Sequence, residues 1–170
     1  YTTLFRSSGG QCLGINSRPV PQVRLSLPDF INIPGTRGLL AFKGHLSYGM
    51  LTDGAWQEQF NTSKSKYQKN VLYHSKAFYL RIGNEQRHPF EANFGLEMAT
   101  TFGGTTYLDG VKTTHPSGIK KFIKAFVPLN EKGDTSVYTA EGNMLGSLLI
   151  SVSYKFNTWK LRAYTDHYFE

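Results

Sequence analysis

Residues Phe90–Gly104, FEANFGLEMATTFGG, alternate between two kinds of side chain. One side of this period-two pattern is apolar apart from Thr100, and its other members are Phe90, Ala92, Phe94, Leu96, Met98 and Phe102. The opposite side carries Glu91, Asn93, Glu97 and Thr101, with Gly95 and Ala99 between them. Since successive side chains of a β-strand point to opposite faces, the stretch predicts one long strand between two different environments.

The same alternation recurs along the chain and predicts an antiparallel sheet of about seven to eight strands. The further stretches are Gln22–Leu27, Leu40–Leu51, Ser75–Gly83, Leu145–Phe156 and Trp159–Glu170. Upstream of Ser75 the sequence VLYH keeps the phase less well, which indicates a bulge or a loop boundary. We therefore expect an all-β chain organised as one domain, or one segment of a domain, over residues 1–170.

Connections of two lengths separate the predicted strands. Residues 52–54, 83–89 and 156–159 are short enough for hairpin turns, whereas residues 55–70 and 105–144 are long. Short turns on one side and long loops on the other are typical of transmembrane β-barrels. Within the second long connection, Ile119, Phe122, Ile123 and Phe126 recur at helical spacing and predict a short helix near residues 117–126. That helix would lie in the membrane interface or pack its apolar stripe on the neighbouring loop or barrel wall.

Composition excludes several classes of protein. No apolar run approaches the roughly 18 residues that a membrane-spanning helix requires, and the single cysteine, Cys12, permits no internal disulfide. The net charge of +7 comes without any nucleic-acid-binding motif, so we expect no nucleic-acid partner. The histidines show no metal-ligand spacing, and no serine lies in a GxSxG elbow. We therefore expect no metal and no cofactor, and a protein that is not an enzyme.

Two environments fit the alternating strands: a soluble β-sandwich, or a transmembrane barrel with lipid outside and water inside. Several predicted strands reach ten residues or more, against a usual five or six in globular proteins. Aromatic residues cluster near strand ends, and small residues share the polar side with charges. These features favour the antiparallel transmembrane β-barrel of a bacterial outer membrane. A secreted, soluble, lectin-like β-sandwich remains the less favoured alternative.

Three stretches, VLYHSKAFYLRIG, MATTFGG and LRAYTDHYFE, resemble the Wzi-like outer-membrane capsule-assembly family in its Bacteroidetes form. The similarity covers most of residues 12–170. Its motifs include an aromatic-Gly-Gly strand end at Phe102–Gly104 and an Arg-x-Tyr-x-acid-His-x-Phe-Glu pattern at Arg162–Glu170. The resemblance implies that this chain is a segment of a larger barrel, whose remaining strands pair with its edges. It also implies non-catalytic retention of surface polysaccharide at the outer membrane, with lipopolysaccharide and membrane lipid as further partners.

Two sets of residues are candidates for function. Aromatic and polar side chains in the long connections are candidate glycan contacts, namely Trp56, Tyr67, Tyr107, Asp109, Lys112 and Tyr138. Charged side chains on the polar side of the strands are a candidate lumen network, namely Arg81, Glu91, Glu97, Arg162, Asp166 and Glu170. The network would either fill the lumen with paired charges or select solutes at a constriction. Glu91 and Glu97 lie about 20 Å apart by strand rise, too far for a glycosidase pair.

The leading hypothesis is thus an outer-membrane barrel that binds and organises capsule polysaccharide. A passive or porin-like outer-membrane barrel without a glycan role is the runner-up.

Overall fold

The structure, a computed structural model, describes residues 19–52, 54–60, 66–84, 87–115, 117 and 144–169. It contains six long strands, namely β1 (Gln22–Asn32), β2 (Leu40–Met50), β4 (Leu72–Gly83), β5 (Phe90–Phe102), β8 (Met144–Lys155) and β9 (Lys160–Phe169). Three short strands, β3 (Tyr67–Lys69), β6 (Thr105–Leu108) and β7 (Val111–Thr114), and one helix, α1 (Trp56–Phe60), complete the fold. Among the described residues, no helix combines the length and the apolar character needed to cross a bilayer.

The six long strands form one antiparallel sheet in the order β1-β2-β4-β5-β8-β9. Each strand is 10–13 residues long, and the prediction of an all-β antiparallel fold is confirmed. Strands β1 and β9 form the outer edges of the sheet, so the described residues do not close into a barrel.

Register separates the two faces of this sheet cleanly. Leu80, Phe94 and Ile150 are direct partners across three strands, and so are Arg81, Asn93 and Ser151. We call the face with Phe94 the apolar face and the face with Asn93 the polar face. Direct partners in an antiparallel pair point to the same side of the sheet. The apolar residues of each strand therefore lie on one common face, and the polar residues lie on the other.

The two ends of the sheet differ in how its strands are joined. Residues 33–39, 84–89 and 156–159 are the connections at one end, which we call the short-turn end. The long connections 51–71 and 103–143 leave the other end, the long-connection end. From these, β3, β6 and β7 form a separate three-stranded sheet in the order β3-β6-β7. Residues 84–89 and 156–159 form short connections as predicted, whereas residues 52–54, also predicted as a short turn, belong to the long connection 51–71.

Local predictions were met unevenly. Strand β4 begins at Leu72, within VLYH, and pairs regularly with both neighbours, so the loop boundary expected there is confirmed and its alternative, a bulge, is not found. The register irregularity lies instead in β1, between Leu27 and Ile31, where Pro28 removes a donor from the ladder. Residues 118–126 of the predicted helix lie outside the described residues, and Ser117 is not helical.

Candidate functional site

Burial in the large sheet is inverted relative to a soluble protein. On the polar face Ser147, Ser151 and Glu97 are 0, 2 and 9% exposed. On the apolar face Phe94 is 41% and Val152 is 39% exposed. The apolar face is therefore exposed in its middle and toward the short-turn end, whereas Met98 and Phe102 near the long-connection end are buried. Hydroxyl and carboxylate groups of the polar face are packed away from the surface.

Acidic groups on the polar face receive hydrogen bonds from neutral neighbours. The Tyr79 hydroxyl donates to a Glu97 carboxylate oxygen, and the Ser147 hydroxyl donates to Asp166. On a third carboxylate, Asn93 Nδ2 donates to Glu91 Oε1 over 2.9 Å. Such bonds offset part of the cost of burying a carboxylate.

Cations on the polar face are held against aromatic rings. Lys43 Nζ lies 4.9 Å from the centre of the Phe30 ring and 5.1 Å from that of Tyr79. The Arg81 guanidinium lies 4.8 Å from the same Phe30 ring, and its Nη2 donates to Asn32 Oδ1 over 3.3 Å. Distances below about 6 Å place both cations in the range of cation–π attraction.

The predicted lumen network is therefore located on one face. Register places Arg81, Glu91, Glu97, Arg162 and Asp166 on the polar face of β4, β5 and β9. The sixth member, Glu170, lies outside the described residues. Four of these residues, Arg81, Glu91, Glu97 and Asp166, contact tyrosine, serine, asparagine and phenylalanine side chains, partners that the charge pattern alone does not predict.

Ser47, Ser75 and His45 form a polar cluster across β2 and β4. The two hydroxyl oxygens are 2.7 Å apart, and His45 Nε2 is 3.2 Å from Ser75 Oγ. That spacing resembles a nucleophile and its base. However, both serines are almost fully buried, which leaves their hydroxyls inaccessible to a substrate.

Aromatic residues form an exposed cluster on the apolar face at the short-turn end. The cluster consists of Phe90, Tyr154, Phe156 and Trp159. Phe90 and Tyr154 are direct cross-strand partners. The Phe156 ring lies 3.9 Å from that of Trp159 and 4.8 Å from that of Tyr154. Rings that combine an apolar body with a polar tip are enriched where a membrane meets water.

The small sheet brings together three of the predicted glycan contacts. Tyr67 pairs with Tyr107, and Tyr107 pairs with Lys112, so all three lie in one row on one face. We call these residues the Tyr–Tyr–Lys row. The two rings are 4.8 Å apart and nearly parallel at 6°. The row offers aromatic surface beside the ammonium group of an exposed lysine.

A salt bridge between α1 and β3 adds charge beside this row. Lys69 Nζ donates to a Glu58 carboxylate oxygen, and it lies 6.0 Å from the centre of the Tyr107 ring. The hydrogen bond that Lys69 donates to Glu58 raises the pKa of Lys69 above its ordinary value. Next to this pair, the Gln68 amide donates to Gln57 Oε1, which ties the helix to the strand a second time.

The other predicted glycan contacts are dispersed. Trp56 begins α1 and is 62% exposed, with its ring 5.9 Å from that of Phe60. Asp109 and Gly110, both with positive φ, form the two-residue turn between β6 and β7. Tyr138 lies outside the described residues.

Two polar side chains on the apolar face were not singled out in the sequence. His74 is buried, its ring lies 4.3 Å from that of Tyr48, and its Nδ1 is 3.0 Å from the Ser47 carbonyl oxygen. Lys76 follows on the same face of β4. The period-two pattern does predict that both residues lie on the apolar face, because they alternate in phase with Phe78 and Leu80.

Within the described residues, no three histidine, cysteine or acidic side chains are grouped so that they could hold a metal ion. No protein-family model matches this chain, and neither does a curated protein or a solved structure.

Proposed function

We propose that this chain forms part of a transmembrane antiparallel β-barrel in a bacterial outer membrane and retains surface polysaccharide there without catalysis. The observation that carries the proposal is the inverted burial of the large sheet. A soluble sandwich hides its apolar face, whereas here Phe94 and Val152 lie on the outside and Ser151 lies within. Hydrocarbon is the solvent in which that arrangement is stable.

The dimensions of the sheet agree with a bilayer. Strands of 10–13 residues match the nine to eleven or so that a tilted strand needs to cross the hydrocarbon core. The aromatic cluster at the short-turn end corresponds to one interfacial girdle. On this proposal the open edges of β1 and β9 pair with further strands, because an unpaired backbone edge is not tolerated in lipid.

The long-connection end carries the proposed glycan site. In bacterial barrels the longer loops are extracellular, so the small sheet would project from the cell surface. The Tyr–Tyr–Lys row supplies aromatic surface for sugar rings and an ammonium group for acidic substituents. The resemblance to Wzi-like capsule-assembly proteins points to the same role. A passive barrel would contain the same large sheet but would not use this row.

Membrane embedding is tested first, by reconstitution. We expect the barrel, with the strands that pair with β1 and β9 present, to stay folded and dispersed in detergent or lipid vesicles and to aggregate when both are removed. A protein that remains folded and monodisperse in plain buffer would refute the membrane proposal.

Glycan retention is tested with paired variants of the small sheet. Tyr107→Ala and Lys112→Gln remove parts of the row, while Val111→Ala changes an exposed residue on the opposite face of β7. We expect the first two to weaken binding to purified capsule polysaccharide at least about tenfold, equivalent to about 1.4 kcal/mol. Val111→Ala should bind like the unmodified chain. Equal binding by all the variants would favour the passive barrel.

A further inference from the structure

The charged side chains of the small sheet lie on one of its two faces. We call the face that carries the Tyr–Tyr–Lys row the tyrosine face. Alternation places Lys69 on it as well, two residues from Tyr67 on β3. The opposite face of the three strands is neutral and consists of Gln68, Thr106, Leu108, Val111 and Thr113. An anionic group is therefore attracted to the tyrosine face rather than to the opposite one.

The two lysines of the tyrosine face differ in their partners. Lys69 donates to Glu58, so these two side chains together carry no net charge. Lys112 is exposed, and no hydrogen bond or ion pair joins its side chain to another residue in the described part of the chain. The uncompensated positive charge of this face is therefore at Lys112.

The two lysines are far enough apart to act separately. They lie on strands with β6 between them, and Lys112 is offset from the row of Lys69 by two residues along the strand. Strand spacing and rise put their Cα atoms about 12 Å apart. This separation exceeds the Debye length of about 8 Å at physiological ionic strength. An anion bound at Lys112 is thus largely screened from Glu58, whereas an anion beside Lys69 is not.

The Glu58–Lys69 pair keeps hydrogen-bonding capacity for a ligand. The Glu58 side chain is 50% exposed and that of Lys69 is 28% exposed. A carboxylate accepts through both oxygens, and an ammonium group has three donors. Sugar hydroxyl groups both donate and accept, so they match this pair. A second carboxylate at the same place is opposed by the charge of Glu58.

The tyrosine pair spans the distance between the two charged positions. The stacked rings of Tyr67 and Tyr107 belong to β3 and β6, and Lys69 Nζ lies 6.0 Å from the centre of the Tyr107 ring. A glycan that contacts Lys112 and the Glu58–Lys69 pair together must cross two strand spacings, or about 10 Å. That distance is longer than one sugar ring, so the two positions meet different sugars of the same chain.

We propose that the tyrosine face selects a glycan in which acidic and neutral sugars alternate. Lys112 binds the carboxylate of the acidic sugar, and Glu58 excludes a carboxylate from the neighbouring sugar while its pair with Lys69 binds hydroxyl groups. The inference rests on the proposed glycan retention and adds the substrate class. Glu58 is the residue that determines specificity, because it is the group that opposes a glycan with a carboxylate on every sugar.

The test compares oligosaccharides that differ in the spacing of their carboxylates. Hyaluronan hexasaccharide has one carboxylate on every second sugar, hexagalacturonate has one on every sugar, and carboxyl-reduced hyaluronan hexasaccharide has none. Binding of each, and of purified capsule polysaccharide, to the whole protein in detergent is measured by calorimetry at physiological ionic strength. The variants are Glu58→Gln and Lys112→Gln. Lys155→Gln removes an exposed positive charge at the short-turn end and is the control.

We expect the unmodified chain and Lys155→Gln to bind hyaluronan hexasaccharide severalfold more tightly than either of the other oligosaccharides. Lys112→Gln should lose the preference over the carboxyl-reduced form. Glu58→Gln should bind hexagalacturonate severalfold more tightly than the unmodified chain does. Equal binding of the three oligosaccharides by the unmodified chain, or an unchanged affinity of Glu58→Gln for hexagalacturonate, would overturn the assignment.

Binding of the capsule polysaccharide separates the two proposals. If the unmodified chain binds neither this polysaccharide nor any of the oligosaccharides, glycan retention fails and the assignment fails with it. If the polysaccharide is bound but alternating carboxylates are not preferred, the assignment alone is wrong.

Discussion

Placing the same charged side chain at two depths on one strand distinguishes lipid from water outside the apolar face. Phe94 and Phe90 both lie on the apolar face of β5, and their exposed fractions are 41 and 44%. Four residues separate them, or about 13 Å along the strand. For a strand tilted by about 40°, Phe94 is about 10 Å deeper in the membrane than Phe90, which belongs to the aromatic cluster at the short-turn end. The change is Phe→Lys at each position, with Phe→Ala as the packing baseline.

The expected magnitudes differ by depth. A lysine facing lipid costs about 2–4 kcal/mol at the bilayer midplane and about 0–1 kcal/mol near an interface. Phe94 lies between these two depths, so after the alanine baseline is subtracted Phe94→Lys should destabilise by about 1–3 kcal/mol more than Phe90→Lys. That difference is roughly 5- to 150-fold in the folding equilibrium. In water, two surface positions of similar exposure would differ by no more than about 0.5 kcal/mol.

The assay is reversible urea unfolding from phospholipid vesicles, followed by tryptophan fluorescence. Each variant yields a free energy of unfolding and an m-value, and a constant m-value shows that the unfolding reaction is unchanged. Equal penalties at Phe94 and Phe90 would refute the placement of the apolar face in hydrocarbon.

Further predictions concern the polar face and the small sheet. Tyr79→Phe removes the hydrogen bond to Glu97, so the free energy of unfolding in urea should fall by about 1–3 kcal/mol. An unchanged unfolding midpoint would show that this hydrogen bond does not stabilise the fold. In Gly95→Ala the new Cβ would lie 2.6 Å from Tyr79 Cδ1. This overpacking should lower the free energy of unfolding by about 1–3 kcal/mol in the same assay. An unchanged free energy of unfolding would mean that the Tyr79 ring moves aside freely. The salt bridge with Glu58 raises the pKa of Lys69. Its contribution to stability is therefore complete below the ordinary pKa of lysine and is lost as the pH rises through the raised pKa of Lys69. Glu58→Gln should return that pKa to its ordinary value in an NMR titration of Lys69 Nζ, and no change would contradict the pairing.

The long strands were predictable because alternation is a local signal. Each residue of Phe90–Phe102 reports its own face, and six strands of 10–13 residues repeat that signal many times. Even so, the pattern is ambiguous about which face is buried. Only the packed structure shows that Glu97 and Ser151 are enclosed while Phe94 is outside.

The alternation weakens at the start of β4 because a polar residue, His74, stands at an apolar-face position. Its ring stacks on Tyr48, and its Nδ1 lies 3.0 Å from the Ser47 carbonyl oxygen. Those partners lie on another strand, so no local window of sequence contains them. The irregularity in β1 is not predicted by the sequence pattern, because the alternation ends at Leu27, just before Pro28.

The small sheet and α1 are too short to produce a periodic signal. Three or four residues per strand fit many patterns, and Trp56–Phe60 is little more than one helical turn. Candidate glycan contacts chosen by residue type nevertheless included Tyr67, Tyr107 and Lys112, which the register places in one row. Their proximity depends on pairing between distant segments, which residue type does not encode.

The most direct test of the account is to ask which solvent touches the middle of the apolar face. The chain has two tryptophans, so Trp56→Phe and Trp159→Phe together give a background for a single reporter at Phe78→Trp, a position that is 52% exposed. In vesicles, lipids brominated on their acyl chains should quench this reporter strongly, and aqueous iodide should leave it bright. Strong quenching by iodide with none from the brominated lipids would contradict the account.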